Sequence, residues 1–237
     1  VEVDDVNTGV VAAGAAPGLG QLGMRERASA SGGEIEAAAC DQLIEGSAHT
    51  DCVVLGPGIS DRDAAAMLSE ALLATPRDGL AIVLDAASVA CAGSHAGLIR
   101  GHAGRVVMTP HHGEMAACIA CEQDRIDADP ERTAQDAAER FGAVVVLKSS
   151  RTIIAAPGQE PLLYLGGGVG LATGGSGDVL AGIIGGLLSR GAEPRVAAAW
   201  GVWLHGEAGA ALAASVGPIG FLGREIPALV PRLMTVP

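Results

Sequence analysis

The sequence predicts an α/β fold, with a mainly parallel central sheet, helices on both of its faces and a small antiparallel edge. Short runs of consecutive apolar residues recur along the chain, and each ends in a glycine or a polar residue. Such runs lack the alternation of apolar and polar residues found in a strand with one solvent-exposed face, so they indicate strands buried on both faces. The chain has 237 residues, of which 49% are hydrophobic, enough for one substantial core. We therefore expect a single domain over residues 1–237.

Four apolar runs predict the parallel strands, and the polar residues after them predict where ligands bind. The runs are Cys52–Leu55, 80–84, 105–108 and Val144–Leu147. Because open α/β sheets bind ligands beyond the carboxyl ends of their strands, the residues that follow are expected to line one rim. They are Gly56, Gly58, Asp85, His111, Glu114 and Lys148. Residues 152–165 hold two further runs around Pro157 and Gly158, which predict an antiparallel hairpin at the sheet edge.

Helix patterns lie between and after these runs. Their predicted bounds are 35–43, 64–74, 132–141, 178–189, 194–214 and 224–234. Ser60 or Asp61 is expected to cap the second of them, and Pro194 is expected in the first turn of the fifth. Glycine and proline interrupt any period over much of residues 1–50, so we treat this stretch as an atypical N-terminal region of the domain.

A glycine-rich loop precedes the predicted helix at 178–189. It holds seven glycines between Gly166 and Gly177, which let the backbone approach a ligand closely. Asp178 is expected at the N-cap or in the first turn of the helix. The unpaired N–H groups of Gly175, Ser176 and Gly177 would then point outward at the positive end of the helix. This arrangement predicts an anion site, and phosphate is the expected ligand.

Asp178 has two interpretations. As a carboxylate beside free N–H groups, it can take a proton from a substrate hydroxyl while those groups hold phosphoryl charge. As an isolated aspartate, it would only cap the helix. The glycines directly before it favour the catalytic interpretation, because capping does not need them.

The bulk composition excludes several classes of partner. The formal net charge of −12 would repel nucleic acid and an anionic membrane surface. Aromatic residues make up 2% of the chain, which disfavours a base-stacking platform, and the apolar run at 179–188 is shorter than the ~20 residues of a membrane helix. The first residues carry no secretory signal pattern, and five cysteines without framework spacing indicate a reducing compartment. We expect a cytoplasmic protein.

Four segments, in order, resemble one known family. The segment ATGGSGDVLAGIIGGLL is similar to the GxGD anion-hole segment of the ribokinase-like superfamily. Within that superfamily, its residues most resemble those of the ADP- or ATP-dependent NAD(P)H-hydrate dehydratases. VVLGPGIS resembles that family's GPG turn, VMTPHHGEMA its TPHxGE segment, and LKSSRTIIA its lysine-led nucleotide strand. The resemblance runs from about residue 51 to the C-terminus and implies a ribokinase-like three-layer sandwich.

The resemblance also implies a reaction, the dehydration of NAD(P)H-hydrate (NADHX or NADPHX) to the working coenzyme. The hydrate carries a hydroxyl on the ring carbon next to N1, and hydroxide is a poor leaving group. Phosphorylation from bound ADP or ATP, with Mg²⁺, would make it a good one. The family analogy further implies a homo-oligomer, namely a tetramer.

Roles for individual residues follow from the same resemblance. Asp178 would contact the substrate hydroxyl as base, with Gly175, Ser176 and Gly177 around the transferred phosphoryl group. Gly58 and His111 would contact the hydrate, and Glu114 would act through Mg²⁺ and water on the phosphates. The nucleotide would lie along Lys148, Ser149, Ser150, Arg151 and Thr152.

Simpler interpretations and other functions stay open. Taken alone, His111 is equally a loop residue, Glu114 a first-turn acid, Lys148 a solvated strand end, and Asp85 a loop cap. The chain also departs from the family: Ala87 replaces a usual aspartate and Ser149 a usual glycine. The alternatives to the dehydratase are a ribokinase-like kinase for a small alcohol and a non-catalytic adenine-nucleotide-binding protein.

Overall fold

The computed structural model describes residues 11–13 and 32–235, in which seven strands form one sheet. The strands are β1 (Val11–Ala13), β2 (Cys52–Leu55), β3 (Ala81–Leu84), β4 (Val106–Met108), β5 (Val144–Leu147), β6 (Thr152–Ala156) and β7 (Gln159–Tyr164). Their order in the sheet is their order in the chain. Strands β2 to β5 are parallel, while β1 at one edge and the β6–β7 hairpin at the other are antiparallel. The predicted parallel sheet and its antiparallel hairpin edge are confirmed.

Helices connect and cover the strands. The α-helices are α1 (Gly32–Ser47), α2 (Arg62–Leu73), α3 (Ala86–Cys91), α4 (Ala96–Gly101), α5 (His112–Ile119), α6 (Gln123–Ala128), α7 (Pro130–Phe141), α8 (Ser176–Leu188), α9 (Pro194–Ser215) and α10 (Val230–Leu233). Short 3₁₀ helices span Ala92–His95, Val169–Ala172 and Gly223–Leu229. No helix among the described residues combines the length and apolarity needed to cross a bilayer.

The core has two halves because successive side chains of the buried strands point to opposite faces of the sheet. On one face, Leu84 and Met108 pack with residues of α1 to α7 such as Phe141. On the other, Val83 and Val146 pack against α8 and α9. Helices on both faces of one sheet form the predicted three-layer sandwich, which is confirmed.

Two helix predictions need correction. The helix predicted at 35–43 is longer and runs over Gly32–Ser47. The single helix predicted at 224–234 is wrong: the segment forms a 3₁₀ helix, Gly223–Leu229, followed by the four residues of α10. Pro227 and Pro231 lie in this stretch, and proline cannot donate the backbone hydrogen bond of an α-helix interior.

The cap predictions are confirmed where the sequence marks them. Asp61 accepts hydrogen bonds from the N–H groups of Asp63 at 2.8 Å and Ala64 at 3.3 Å, which fixes the start of α2. Pro194 lies in the first turn of α9. Helix α8 starts at Ser176, so Asp178 lies in its first turn and Gly175 is the N-cap.

Candidate active site

The carboxyl ends of β3, β4 and β5 bring three charged side chains together. The Nζ atom of Lys148 lies 2.7 Å from Oδ1 of Asp85 and 3.7 Å from Oε2 of Glu114. Strand register explains this, because Leu84 pairs with Met108 and Met108 pairs with Val145, so the residues that follow emerge side by side. Lys148 is therefore not a solvated strand end: its side chain is 19% exposed and carries two ion pairs.

Asp85 is the buried anchor of this rim. Its side chain is 1% exposed, and Oδ1 accepts hydrogen bonds from Oγ1 of Thr109 and Nζ of Lys148, both at 2.7 Å. A buried carboxylate needs such charge-assisted partners. Asp85 precedes α3 but makes no side-chain cap bond, so the loop-cap interpretation is wrong. Gly56 packs so closely on the Asp85 carbonyl oxygen that a Cβ there would overlap it.

His111 and Glu114 form a reciprocal capping box at the start of α5. Nδ1 of His111 accepts from the N–H groups of Gly113 at 3.0 Å and Glu114 at 3.2 Å, while Oε2 of Glu114 accepts from the His111 N–H at 2.8 Å. Nδ1 is thus an acceptor, so Nε2 carries the ring proton and faces Oε1 of Glu114 at 3.3 Å. The box orients both side chains, and that of His111 is 59% exposed at the rim.

The free N–H groups at the start of α8 differ from the set predicted for the anion site. Gly175, the N-cap, has φ +78°, a conformation that suits glycine. The N–H of Ser176 donates to the carbonyl of Thr173 at 3.2 Å and is not available to a ligand. Within the described chain, the N–H groups of Gly175, Gly177 and Asp178 have no such partner. Asp178 therefore replaces Ser176 among the donors.

Lys148 reaches this helix start as well as the rim. A Cβ added at Gly177 would lie 3.2 Å from its Nζ atom, so the ammonium lies beside the free N–H groups of the helix. This position is at the predicted phosphate end of the nucleotide. Positive charge and helix-terminal N–H groups together favour an anion at this point.

Asp178 lies in the field of its charged neighbours. Partial burial raises the pKa of its carboxyl, the negative charge of Asp85 raises it further, and the positive charge of Lys148 lowers it. The side chain remains exposed at the rim. A carboxylate with a raised pKa that is accessible to a ligand is a competent general base.

The remaining predicted site residues lie at the carboxyl ends of β2 and β5, in two turns and, for Thr152, at the first position of β6. Ser149, Ser150 and Arg151 connect β5 to β6 and are exposed, and Oγ1 of Thr152 donates to the Ser149 carbonyl at 3.1 Å. Gly58 is exposed after β2, with φ +76°. Nothing in the structure tests their assigned contacts, so these stay predictions.

The start of α8 offers open space and backbone donors, whereas the described residues offer no cluster of metal-binding side chains. A Cβ at Gly174 or Gly175 would meet no atom within 4 Å, which leaves open space in front of the free N–H groups. The described residues contain no group of three or more side chains able to hold a metal ion. Glu114 offers one carboxylate, which suits Mg²⁺ bound mainly by phosphate and water.

Comparisons with known proteins identify the family of the chain. A family model described as NAD(P)H-hydrate dehydratase matches residues 21–232. The ADP-dependent (S)-NAD(P)H-hydrate dehydratase of Xanthomonas campestris pv. campestris is 38% identical over 185 residues, which cover 78% of this chain and 61% of the relative. The bifunctional NAD(P)H-hydrate repair enzyme Nnr of Moorella thermoacetica is 40% identical over 75% of this chain and 33% of its own length.

A solved structure gives the same result. The ADP/ATP-dependent NAD(P)H-hydrate dehydratase from Bacillus subtilis, co-crystallised with ATP/Mg²⁺, superposes with a TM-score of 0.66 and 25% identity, over 78% of this chain and 64% of that one. The chain thus spans less than two thirds of each of these three relatives. The family match over most of the chain shows that the chain belongs to the NAD(P)H-hydrate dehydratase family.

Proposed function

We propose that this chain dehydrates NAD(P)H-hydrate (NADHX or NADPHX) to NAD(P)H with the help of ADP or ATP, as a hydro-lyase. One observation carries the proposal: the Asp178 carboxylate, the Lys148 ammonium and the free N–H groups of α8 converge at the carboxyl rim. The relatives named for this activity support it.

The chain's own groups account for the chemistry. Asp178 would accept the proton of the substrate hydroxyl as that oxygen becomes nucleophilic. A bound nucleotide would supply the phosphoryl group that makes this oxygen a good leaving group. The N–H groups of Gly175, Gly177 and Asp178, with Lys148, would stabilise the negative charge that develops during the transfer.

Other residues would hold the ligands. Lys148 to Thr152 would contact the nucleotide, with Lys148 at its phosphates, and Glu114 would hold Mg²⁺ through water. Gly58 and His111 would contact the hydrate from the opposite side. A cytoplasmic location and an oligomeric assembly stay predictions.

The test is recovery of coenzyme from hydrate. Incubation with NADHX or NADPHX, Mg²⁺ and either ADP or ATP should restore the near-ultraviolet absorbance of the dihydronicotinamide ring. Asp178→Asn keeps the shape but cannot accept the proton, so the rate should fall by a factor on the order of 10²–10⁴. Asp136→Asn, an exposed carboxylate on α7, is the control and should retain the wild-type rate.

Two outcomes would contradict the proposal. One is no recovery with either nucleotide from correctly folded wild-type protein. The other is accumulation of a stable phosphorylated alcohol from a panel of small metabolites, which would make the chain a kinase.

A further inference from the structure

Helix α9 supports the glycine-rich loop through a short segment, residues 205–209, which we call the backing segment. It touches the loop at three places along its length. At the middle of the loop, Leu171 packs against Gly209, where a Cβ would lie 2.6 Å from the leucine Cδ2 atom. The backing segment therefore follows the loop from its beginning to its end.

At the beginning of the loop, the backing segment holds Tyr164, the only tyrosine of the chain. Its hydroxyl donates to Oε1 of Glu207 at 3.0 Å. The ring fits between Gly166 and Gly206 so tightly that a Cβ on either would overlap it. Burial raises the pKa of the Tyr164 hydroxyl, and the hydrogen bond and charge of Glu207 raise it further, so the hydroxyl stays protonated as a donor.

At the end of the loop, His205 holds the first residue of α8. Its Nε2 atom lies 2.9 Å from the carbonyl oxygen of Ser176 and 2.9 Å from Oγ of the same residue. A carbonyl oxygen only accepts, so Nε2 must carry the proton and donate to it. Both residues are buried, with 8% of His205 and 3% of Ser176 exposed.

The helix packing explains how His205 reaches this point. One turn earlier on α9, Gly201 allows a close approach to α8, because a Cβ there would lie only 2.5 Å from Cγ1 of Ile184. Residues four apart lie on the same face of a helix, so Gly201, His205 and Gly209 form one stripe. Along this stripe, Gly201 packs against Ile184 of α8, His205 contacts the first residue of α8, and Gly209 contacts the glycine-rich loop.

We propose that His205 is a positioning residue of the anion site, which fixes Ser176 so that the next two N–H groups and the Asp178 carboxylate face the ligand. Its role in nucleotide binding needs only the anion site, whereas its role in turnover rests on the proposed function. Because the histidine acts through Ser176, loss of its hydrogen bond should weaken ligand binding without removing any group that touches the ligand.

The test compares two side chains of similar length at position 205. His205→Gln retains an N–H donor that can reach Ser176, and His205→Met does not; both residues suit a helix. With Mg²⁺ present, calorimetry should show about tenfold weaker ADP binding for His205→Met, the worth of one such hydrogen bond. His205→Gln should bind ADP within about twofold of wild type on the same reasoning.

A remote histidine provides the matched control. Nε2 of His102 lies 3.1 Å from the carbonyl of Leu73, fully buried, before β4 at the opposite end of the sheet. His102→Met should lower the melting temperature and leave the ADP affinity at the wild-type value. If His205→Met behaves like this control, with lower stability and unchanged ADP affinity, the proposal is wrong.

A measurement on wild-type protein covers the case in which His205→Met does not fold. The Nε2–H proton of His205 should give a protected imidazole NMR signal that shifts when ADP saturates the site. An unchanged signal at saturating ADP, or no binding of ADP or ATP to the wild type, would overturn the proposal. Nucleotide binding without recovery of coenzyme would instead contradict the proposed function alone.

Discussion

The buried negative charge of Asp85 contributes to the stability of the fold through its ion pair with Lys148 at the rim. Removal of one partner of a buried ion pair leaves the other without compensation, which costs roughly 3–5 kcal/mol. Lys148 is 19% exposed and lies 3.7 Å from Glu114, so part of this loss is offset. We expect Asp85→Asn to lower the free energy of unfolding by about 2 kcal/mol in urea titrations. Asp136→Asn should leave it within about 0.5 kcal/mol of wild type, and equal stability of both variants would contradict the prediction.

His205 gives the stability of the fold a specific pH dependence. Burial lowers the pKa of its imidazole from 6.5 to about 4, the Ser176 carbonyl opposes this shift, and the charge of Lys148 adds to it. The folded pKa is below the unfolded one, so the stabilisation is complete above pH 6.5 and is lost as the pH falls through about 4.

The size of this loss can be measured by difference. Between pH 6.5 and 4, wild type should lose about 3 kcal/mol more unfolding free energy than His205→Gln, which has no group to titrate at this position. Urea titrations at several pH values measure both curves. Parallel curves over this range would show that His205 is not held neutral by the fold.

Part of the rim could be predicted from the sequence. Glu114 and Lys148 stand in recognisable segments, and Asp85 follows a buried run. Which of them would pair could not be derived, because the pairing depends on the register of three neighbouring strands. The Ser176–His205 contact joins residues 29 positions apart, and the apolar pattern of α9 gives no sign that its histidine faces a loop.

At the scale of elements, α8 contains two glycines in opposite environments. A Cβ at Gly182 would meet nothing within 4 Å, whereas at Gly185 it would lie 2.5 Å from Cγ2 of Val54 on β2. Gly182→Ala should stabilise the protein by roughly 0.5–1 kcal/mol, because alanine favours a helix interior. Gly185→Ala should destabilise it by roughly 1–3 kcal/mol through overpacking. Thermal and urea unfolding of the two variants provide the measurement, and effects of the same sign would contradict this packing of α8.

The elements themselves follow from the sequence wherever burial is uniform. Runs such as Val144–Leu147 have no polar position, and their strand bounds were predicted correctly. The prediction of one helix at 224–234 was wrong because the prolines of this segment interrupt a helix but do not specify a 3₁₀ turn. Strand β1 was not predicted, since its three residues carry too little pattern and pair antiparallel with β2 through a contact distant in sequence.

At the scale of the molecule, the net negative charge of the chain repels the phosphates of the proposed nucleotide. The chain carries a formal charge of −12, and the described rim contains the carboxylates of Asp85, Glu114 and Asp178 around the ammonium of Lys148. A nucleotide should therefore bind well only with a divalent cation to offset its phosphates.

Chelation tests this. Removal of Mg²⁺ should weaken ADP binding in calorimetry by about tenfold or more, and re-addition should restore it. His102→Met should respond like wild type, because it does not touch the rim. An ADP affinity that does not depend on Mg²⁺ would show that Lys148 and the free N–H groups suffice.

Packing against the backing segment of α9 also determines at which step the glycine-rich loop loses its conformational entropy. Seven glycines would keep great conformational freedom in an unsupported chain. Here contacts with α9 hold Tyr164, Leu171 and Ser176, so the conformational entropy of the loop is lost when the chain folds and not when a ligand binds. Nucleotide binding should then show the small heat-capacity change of a preformed site, unlike a segment that folds around its ligand.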